Sequence, residues 1–165
     1  MKLTAARTSA ALFAVAAVLA VAAQPASATT FCVPGFTAAC PDNGTNVPQA
    51  NLQTAVNTSA SDGNPDRVLV GPITFTAPAV FAADGTDNLE IIGSGPDATR
   101  ITTANTTGFY TVDFTGTNQV TMRNLTVEIP AAQPNGSGGG IAMRGDVIEN
   151  VDIESRNPGA VGISA

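Results

Sequence analysis

The sequence predicts an all-β protein built as a solenoid of short strands, with a single helix near its start. Three observations support this class. Apolar and polar side chains alternate with a period of two from Arg67 onward. A pattern of asparagine, aliphatic, polar and aliphatic residues occurs three times, and helical periodicity is confined to one segment before Arg67.

Residues 1–28 predict a signal peptide. Lys2 and Arg7 give it a positive start, an uninterrupted apolar run follows from Ala10 to Ala23, and small residues precede a cleavage point after Ala28. The apolar run is shorter than the roughly 20 residues that a membrane-spanning helix needs. We therefore expect a secreted, extracellular protein without a membrane anchor after cleavage.

The residues after this leader are acidic and lack two reactive side chains. They contain 13 Asp and Glu, no His, and no Lys once Lys2 is removed. Nucleic-acid binding depends on clustered Lys and Arg, so nucleic acid is not an expected partner. The composition also excludes a triad with a His base, a Lys Schiff base and a His-ligated metal.

Residues 29–45 predict an N-terminal segment closed by a disulfide. Cys32 and Cys40 are the only two cysteines, and Pro34-Gly35 provides a turn between them. An exported protein meets an oxidising environment, which favours the bond. A metal site is the competing interpretation, but two cysteines in a segment without His provide too few ligands for it.

The segment from Pro48 to Ala60 predicts the helix. Pro48 suits a first helical position, and Leu52, Ala55 and Val56 form one apolar stripe. A turn-rich stretch from Ser61 then ends it.

The later segments predict strands with one buried face. Threonine suits the exposed face because its branched Cβ fits the pleat while its hydroxyl meets water. The residues expected to face inward are Val68, Val70, Ile73, Phe75, Tyr110, Val112, Phe114, Val120, Met122, Leu125, Val127 and Ile129. Those expected to face outward are Thr74, Thr76, Thr111, Asp113, Thr115, Thr121, Arg123, Thr126 and Glu128.

The internal repeat begins at Asn88, Asn124 and Asn150, each followed by an aliphatic, a polar and an aliphatic residue. Met122 and Ile148 also align in the last two copies. Asparagine tolerates a left-handed backbone, so we expect a sharp bend at each copy, with the amides stacked as a ladder. Chance is the alternative, because asparagine is abundant in this chain.

These residues resemble the N-terminal part of a right-handed parallel β-helix of the pectin-lyase-like superfamily. The resemblance covers residues 46–165 and rests on the helix, the Arg67–Pro72 strand, the Asn-led coils and the stretch Gly93-Ser94-Gly95-Pro96-Asp97-Ala98-Thr99-Arg100-Ile101. It implies that the helix caps the first coil and that the Gly-rich stretch makes a tight turn. It also implies that residues 46–165 are a truncated set of N-terminal coils. An antiparallel β-sandwich is the alternative that the same alternation allows.

Candidate substrate-binding residues are Asp113, Arg144 and Asp146. In that family, enzymes that act on acidic polysaccharides place such residues on the outside of one long sheet. An outward Arg beside a carboxylate can bind a uronate, whereas the plain alternative is a solvated ion pair at a strand end. Calcium is not supported, because Asp84-Gly85-Thr86-Asp87-Asn88 lacks the full 12-residue pattern and is better read as a turn.

The leading functional hypothesis is a secreted β-helix protein that binds or processes polysaccharide or a cell-surface glycan. Whether it is an enzyme stays open at this point. The alternative is a non-catalytic surface or adhesion scaffold. A Thr array of the ice-binding type is a third hypothesis, but regular threonine ranks are missing.

Overall fold

The computed structural model describes residues 28–59, 63–82, 85–104, 110–131, 139–143, 147–157, 159 and 161–164. Within them the chain is all-β, with one helix. The signal peptide prediction lies outside these residues except for Ala28. The elements are β1 (Thr30–Val33), β2 (Val47–Pro48), α1 (Leu52–Ser59), β3 (Asp66–Val70), β4 (Thr74–Ala77), β5 (Phe81–Ala82), β6 (Gly85–Ile92), β7 (Arg100–Thr103), β8 (Tyr110–Asp113), β9 (Thr117–Ile129), β10 (Gly139–Ala142), β11 (Val147–Ser155) and β12 (Val161–Ser164).

The helix is shorter than the sequence predicts. Pro48 belongs to β2, where it lies opposite Cys32. The helix begins after Asn51, whose Oδ1 accepts hydrogen bonds from the backbone N–H groups of Gln53 (2.8 Å) and Thr54 (3.2 Å). An asparagine in this position satisfies N–H groups that have no partner inside the helix, so the side chain of Asn51 sets the start.

The named strands pair in parallel. One sheet has the order β2-β1-β3-β6-β9-β7-β4, with β11 also paired to β9, and a second has the order β12-β10-β8-β5. The alternative of an antiparallel sandwich is therefore wrong. Neighbouring parallel strands cannot be joined by a hairpin and need a long connection. In most of these pairs that connection contains other strands.

The first sheet curls because β9 bends at Asn124. Residues 117–123 of β9 pair with β6, whereas Thr126 and Val127 pair with β7. Asn124 and the equivalent Asn150 of β11 have φ angles of 56° and 50°. The side-chain amide of Asn150 donates to Asn124 Oδ1 at 2.9 Å. The predicted bend and amide ladder are confirmed for these two copies of the repeat.

The first copy of the repeat was placed wrongly. Asn88 lies opposite Gln119, and Gly93 is the residue beside Asn124 at the bend. A Cβ on Gly93 would lie 2.2 Å from the carbonyl oxygen of Asn124, so only glycine fits there. The predicted tight turn at Gly93–Pro96 is present, with Gly95 at φ 135°.

The core consists of apolar side chains stacked across the strands. Phe81 contacts Phe75 and Phe114 edge to face, with ring centroids 5.5 Å apart in both pairs. Such pairs add to the stabilisation that burial provides. Three stacks run across the ladders: Val68, Ile91, Met122 and Ile148; Phe75, Ile101, Val127 and Ile153; and Phe81, Val112 and Ile141.

The N-terminal segment and the helix cover one end of this core. Cys32 and Cys40 form a disulfide, with their Cα atoms 5.7 Å apart. Strand β1 pairs with β3, and α1 packs its buried Leu52, Ala55 and Val56 toward β1, β3 and β6. This helix therefore shields apolar side chains of the first strands from water.

Three residues predicted to face water are buried: Thr111, Thr126 and Glu128. Thr126 Oγ1 donates to the carbonyl of Pro96 at 2.7 Å, so the Gly-rich turn covers it. Thr111 Oγ1 donates to the carbonyl of Glu128 at 3.4 Å. Strand alternation alone does not show which outward positions are covered by neighbouring turns.

Candidate functional site

A polar cavity lies over the outer surface of β3, β6 and the first half of β9, which we call the pocket face. Its volume is about 390 Å³. Arg67 and Glu90 lie opposite each other on neighbouring strands, as do Asn88 and Gln119. The cavity is lined by Ala28, Thr30, Pro65, Asp66, Arg67, Asn88, Leu89, Glu90, Gln119 and Thr121.

Two arginines on the pocket face contact the same glutamate. Glu90 Oε2 lies 2.6 Å from Arg67 Nε, and Glu90 Oε1 lies 2.6 Å from Arg123 Nη2. Two guanidinium groups therefore share one carboxylate. The Arg67 side chain is 50% exposed, which leaves part of its guanidinium open to solvent and to a ligand.

Asp66 supports this face from beneath. It is 4% exposed, and its Oδ1 accepts a hydrogen bond of 2.7 Å from the backbone N–H of Thr29. The contact ties the start of the N-terminal segment to β3. A buried carboxylate that accepts a hydrogen bond from a backbone N–H mainly holds that part of the backbone in position.

Asn88 and Gln119 supply the neutral polar groups of the pocket face. Both side chains are exposed. Each amide offers two donors and an acceptor oxygen. Since paired positions on neighbouring parallel strands lie about 4.8 Å apart, the two amides form a short row across the ladder.

A second cluster of charges, which we call the ion-paired face, lies beyond the bend at Asn124. Glu128 Oε2 lies 2.9 Å from Arg100 Nη1, and its Oε1 lies 3.1 Å from Arg156 Nε. Arg100 Nη1 also contacts Glu154 Oε2 at 2.6 Å. Two arginines and two glutamates therefore balance one another within this cluster.

The Arg100–Glu154 contact affects both ionisation equilibria. The hydrogen bond from Arg100 lowers the pKa of Glu154. The same hydrogen bond raises the pKa of Arg100. Each shift follows because a hydrogen bond to the charged form favours that form.

Of the three candidate substrate-binding residues, Asp113 is the one that lies in the described part of the chain. Asp113 ends β8, and its Oδ1 accepts from the backbone N–H (3.0 Å) and the hydroxyl (2.7 Å) of Thr115. This is a turn-closing contact. Arg144 and Asp146 lie outside the described residues, so the prediction that they bind substrate stays a prediction.

The turn predicted at residues 84–88 is wrong from Gly85 onward. The segment from Gly85 onward belongs to β6, with an irregular register between Gly85 and Asn88, whereas Asp84 lies outside the described residues. Within the described ranges, no group of three or more His, Cys, Asp or Glu side chains is placed to hold a metal ion.

Sequence reasoning missed the pocket face. Arg67, Asn88 and Glu90 were read as parts of strands or of the repeat, without a role in binding. Their alternation with Val68, Leu89 and Ile91 shows that they face outward. Which of them share a row depends on the register, and the repeat predicted the wrong register for Asn88.

Fold and site together define the class of the protein: an all-β protein with a curled parallel sheet and a polar pocket on its outer surface. No protein family, curated protein or solved structure matches the chain. In the part of the chain that the structure describes, no helix has the length and apolar character to cross a membrane.

Proposed function

We propose that the chain forms coils of a secreted parallel β-helix resembling the pectin-lyase-like superfamily, and that it binds polysaccharide at the pocket face. Three features support the β-helix. The chain passes repeatedly between the two parallel sheets, Asn124 and Asn150 stack at equivalent bends, and a helix covers one end of the core. Repeating units stacked on their neighbours are the defining property of solenoids.

The single observation that carries the binding proposal is the polar cavity. Its lining combines two side-chain amides, two hydroxyls and the Arg67–Glu90 pair. Sugars present rows of hydroxyl groups that both donate and accept hydrogen bonds, and this lining offers both functions.

The ladder geometry favours a polymer over a single sugar. Outward groups repeat from strand to strand at about 4.8 Å, so a chain that runs across the strands meets similar polar groups in succession. Arg67, Glu90 and Thr121 all line the cavity and lie in one row across the ladder. Binding is proposed, without a reaction, because both oxygens of Glu90 are already engaged by arginines.

Binding to a panel of neutral and acidic polysaccharides tests this proposal. The probe is affinity electrophoresis of the purified protein, followed by calorimetry with the best polymer. The double variant Asn88→Ala/Gln119→Ala should weaken binding by roughly tenfold, since each lost hydrogen bond contributes about 0.5–1.5 kcal/mol. Its unfolding midpoint should stay near that of the unsubstituted protein, because both side chains are exposed.

The matched control is Thr74→Ala/Thr76→Ala, which removes two exposed polar side chains from β4, away from the pocket lining. It should bind with unchanged affinity. Failure of the protein to bind any polymer in the panel would overturn the proposal, as would equal losses in the two double variants.

The second candidate function is a non-catalytic surface scaffold, favoured by the ion-paired face. There the charged side chains satisfy one another and are placed to stiffen the strands. A scaffold of this kind should resist unfolding but bind none of the polymers, so the same panel separates the two functions.

Secretion is part of the proposal and has its own support. Cys32 and Cys40 form a disulfide, and disulfides persist in the oxidising environment that an exported protein enters. N-terminal sequencing of the exported product tests the expected cleavage after Ala28. A product that retains Lys2 and Arg7 and stays inside the cell would contradict it.

A further inference from the structure

The loop between the disulfide and β2 presents an Asn43-Gly44 pair to solvent. Residues 42–45 are all exposed. Gly44 has φ 79°, and no atom lies within 4 Å of where a Cβ would stand. The backbone nitrogen of Gly44 therefore has no side chain beside it to hinder an attack on its neighbour.

The side chain of Asn43 is held by three donors. Its Oδ1 accepts hydrogen bonds from the backbone N–H of Thr45 (3.0 Å), the hydroxyl of Thr45 (2.9 Å) and the backbone N–H of Asn46 (2.8 Å). The bond from the Thr45 N–H closes a ring that contains Gly44, and the three bonds together restrain the Asn43 side chain next to the Gly44 backbone. Proximity of this kind converts a rare encounter into a favoured one.

The same donors stabilise charge that would develop on Oδ1. When a nucleophile adds to the Asn43 side-chain carbonyl, its oxygen becomes an oxyanion. Hydrogen-bond donors already directed at such an oxygen lower the barrier to addition. Thr45 and Asn46 supply them without further rearrangement.

Asp42 supplies a base next to the attacking nitrogen. Its Oδ1 accepts the hydrogen bond from the Gly44 N–H at 3.0 Å. A peptide nitrogen must lose its proton to act as a nucleophile, and a carboxylate at hydrogen-bond distance is placed to take that proton.

We propose that Asn43 is a self-modification site at which the loop converts asparagine to aspartate and isoaspartate. The Gly44 nitrogen attacks the Asn43 amide carbon, and its proton passes to Asp42. The carbon–nitrogen bond of the side-chain amide breaks, and ammonia leaves with that proton. Water then opens the five-membered succinimide at either carbonyl. The net reaction consumes one water and releases one ammonia.

The product changes the edge of the sheet. Either product adds a negative charge, and isoaspartate also adds one main-chain carbon between Cys40 and Val47. Val47 lies opposite Phe31 in the β1–β2 pair, so the longer loop shifts the spacing of the outermost strand. The modification thus reports the age of the molecule at one defined place.

Incubation of the intact purified protein tests the proposal. The protein is made without N-glycosylation, because Asn43-Gly44-Thr45 has the form of a glycosylation acceptor. Peptide mass spectrometry in oxygen-18 water should show label at Asn43, with aspartate and isoaspartate separated by chromatography against synthetic standards. The rate should exceed that of a synthetic peptide covering residues 41–47, because the peptide lacks the fixed donors. A rate in the protein equal to or below that of the peptide would overturn the proposal.

The variant Asp42→Ser distinguishes the proposed role of Asp42 as a base from its role in closing the turn. Serine also closes tight turns, but its hydroxyl is not a base. It should slow the reaction by about tenfold, below the roughly 100-fold that sheltered general bases reach, because solvent competes at this exposed site. Asp97→Ser, in the exposed turn before Thr99, is the matched control and should leave the rate unchanged. Equal rates in the protein and in Asp42→Ser would overturn the role of Asp42.

Discussion

The pocket face and the ion-paired face lie on the same strand, β9, on either side of the bend at Asn124. On the pocket face, Arg67 and Arg123 share the single carboxylate of Glu90. On the ion-paired face, two arginines meet two glutamates, and the central Glu128 side chain is 11% exposed, against 25% for Glu90. The first cluster lies beside a cavity whose lining also includes Asp66, whereas the second is centred on a carboxylate that is more covered.

This difference shows that outward residues of one strand need not share a role. The two halves of β9 have similar alternation, so the function of each half depends on the strands beside it. A cluster beside a cavity with exposed amide donors can bind a ligand, whereas a cluster centred on a covered carboxylate stabilises the fold. Substitutions on the two faces should therefore separate binding from stability.

The largest expected contrast is between Glu128→Gln and Glu90→Gln. Loss of the Glu128 charge leaves Arg100 and Arg156 without their shared partner, and should lower the free energy of unfolding by about 2 kcal/mol. Glu90→Gln removes the charge of a more exposed carboxylate and should lower the free energy of unfolding by less than about 1 kcal/mol. Urea unfolding at neutral pH measures both. Equal losses would show that the two faces do not differ in stability.

The bend between the faces should depend on the left-handed backbone of Asn124. Asn124→Ala should cost about 1–2 kcal/mol, because alanine is strained at a positive φ and loses the bond to Asn150. Asn124→Gly should cost less, since glycine accepts this backbone. Thermal unfolding of both variants measures the difference. A loss for glycine as large as that for alanine would show that the amide ladder, which both variants lose, outweighs the backbone strain.

Two arginine variants should have opposite effects: Arg100→Gln should lower stability, whereas Arg67→Gln should weaken binding. Arg100→Gln leaves Glu128 and Glu154 facing each other and should cost about 1 kcal/mol without a change in polysaccharide binding. Arg67→Gln should weaken binding and change stability by less than about 0.5 kcal/mol, because its side chain is half exposed. Calorimetry and urea unfolding on the same samples test this. Equal binding losses would place the ligand elsewhere.

The smallest expected effect concerns pH. Arg100 lowers the pKa of Glu154 in the folded protein, so this pair contributes stability above the ordinary pKa of glutamate. That contribution is lost as the pH falls through the lowered folded value. Glu154→Gln should therefore unfold with a weaker dependence on acid pH than the unsubstituted protein, as measured by urea unfolding across a pH series. Asp152→Asn, also exposed on β11, is the control.

Local chemistry in the sequence determined much of the fold. Val68, Val112 and Val127 alternate with polar residues because a strand has two faces, and all three are buried as predicted. The bend at Asn124 was predicted because asparagine tolerates a left-handed backbone. The apolar stripe of the helix was also correct, although its start depends on the cap by Asn51, which the sequence reading placed inside the helix.

Only the tertiary structure decided which residues meet across strands. Glu128 was predicted to face water, but it is covered because Arg100 and Arg156 approach it from elements 28 positions away on either side of the chain. Asn88 lies opposite Gln119 and not Asn124, and this one register decides what lines the cavity. Alternation fixes which way a side chain points, whereas its partner depends on loop lengths and turns between distant strands.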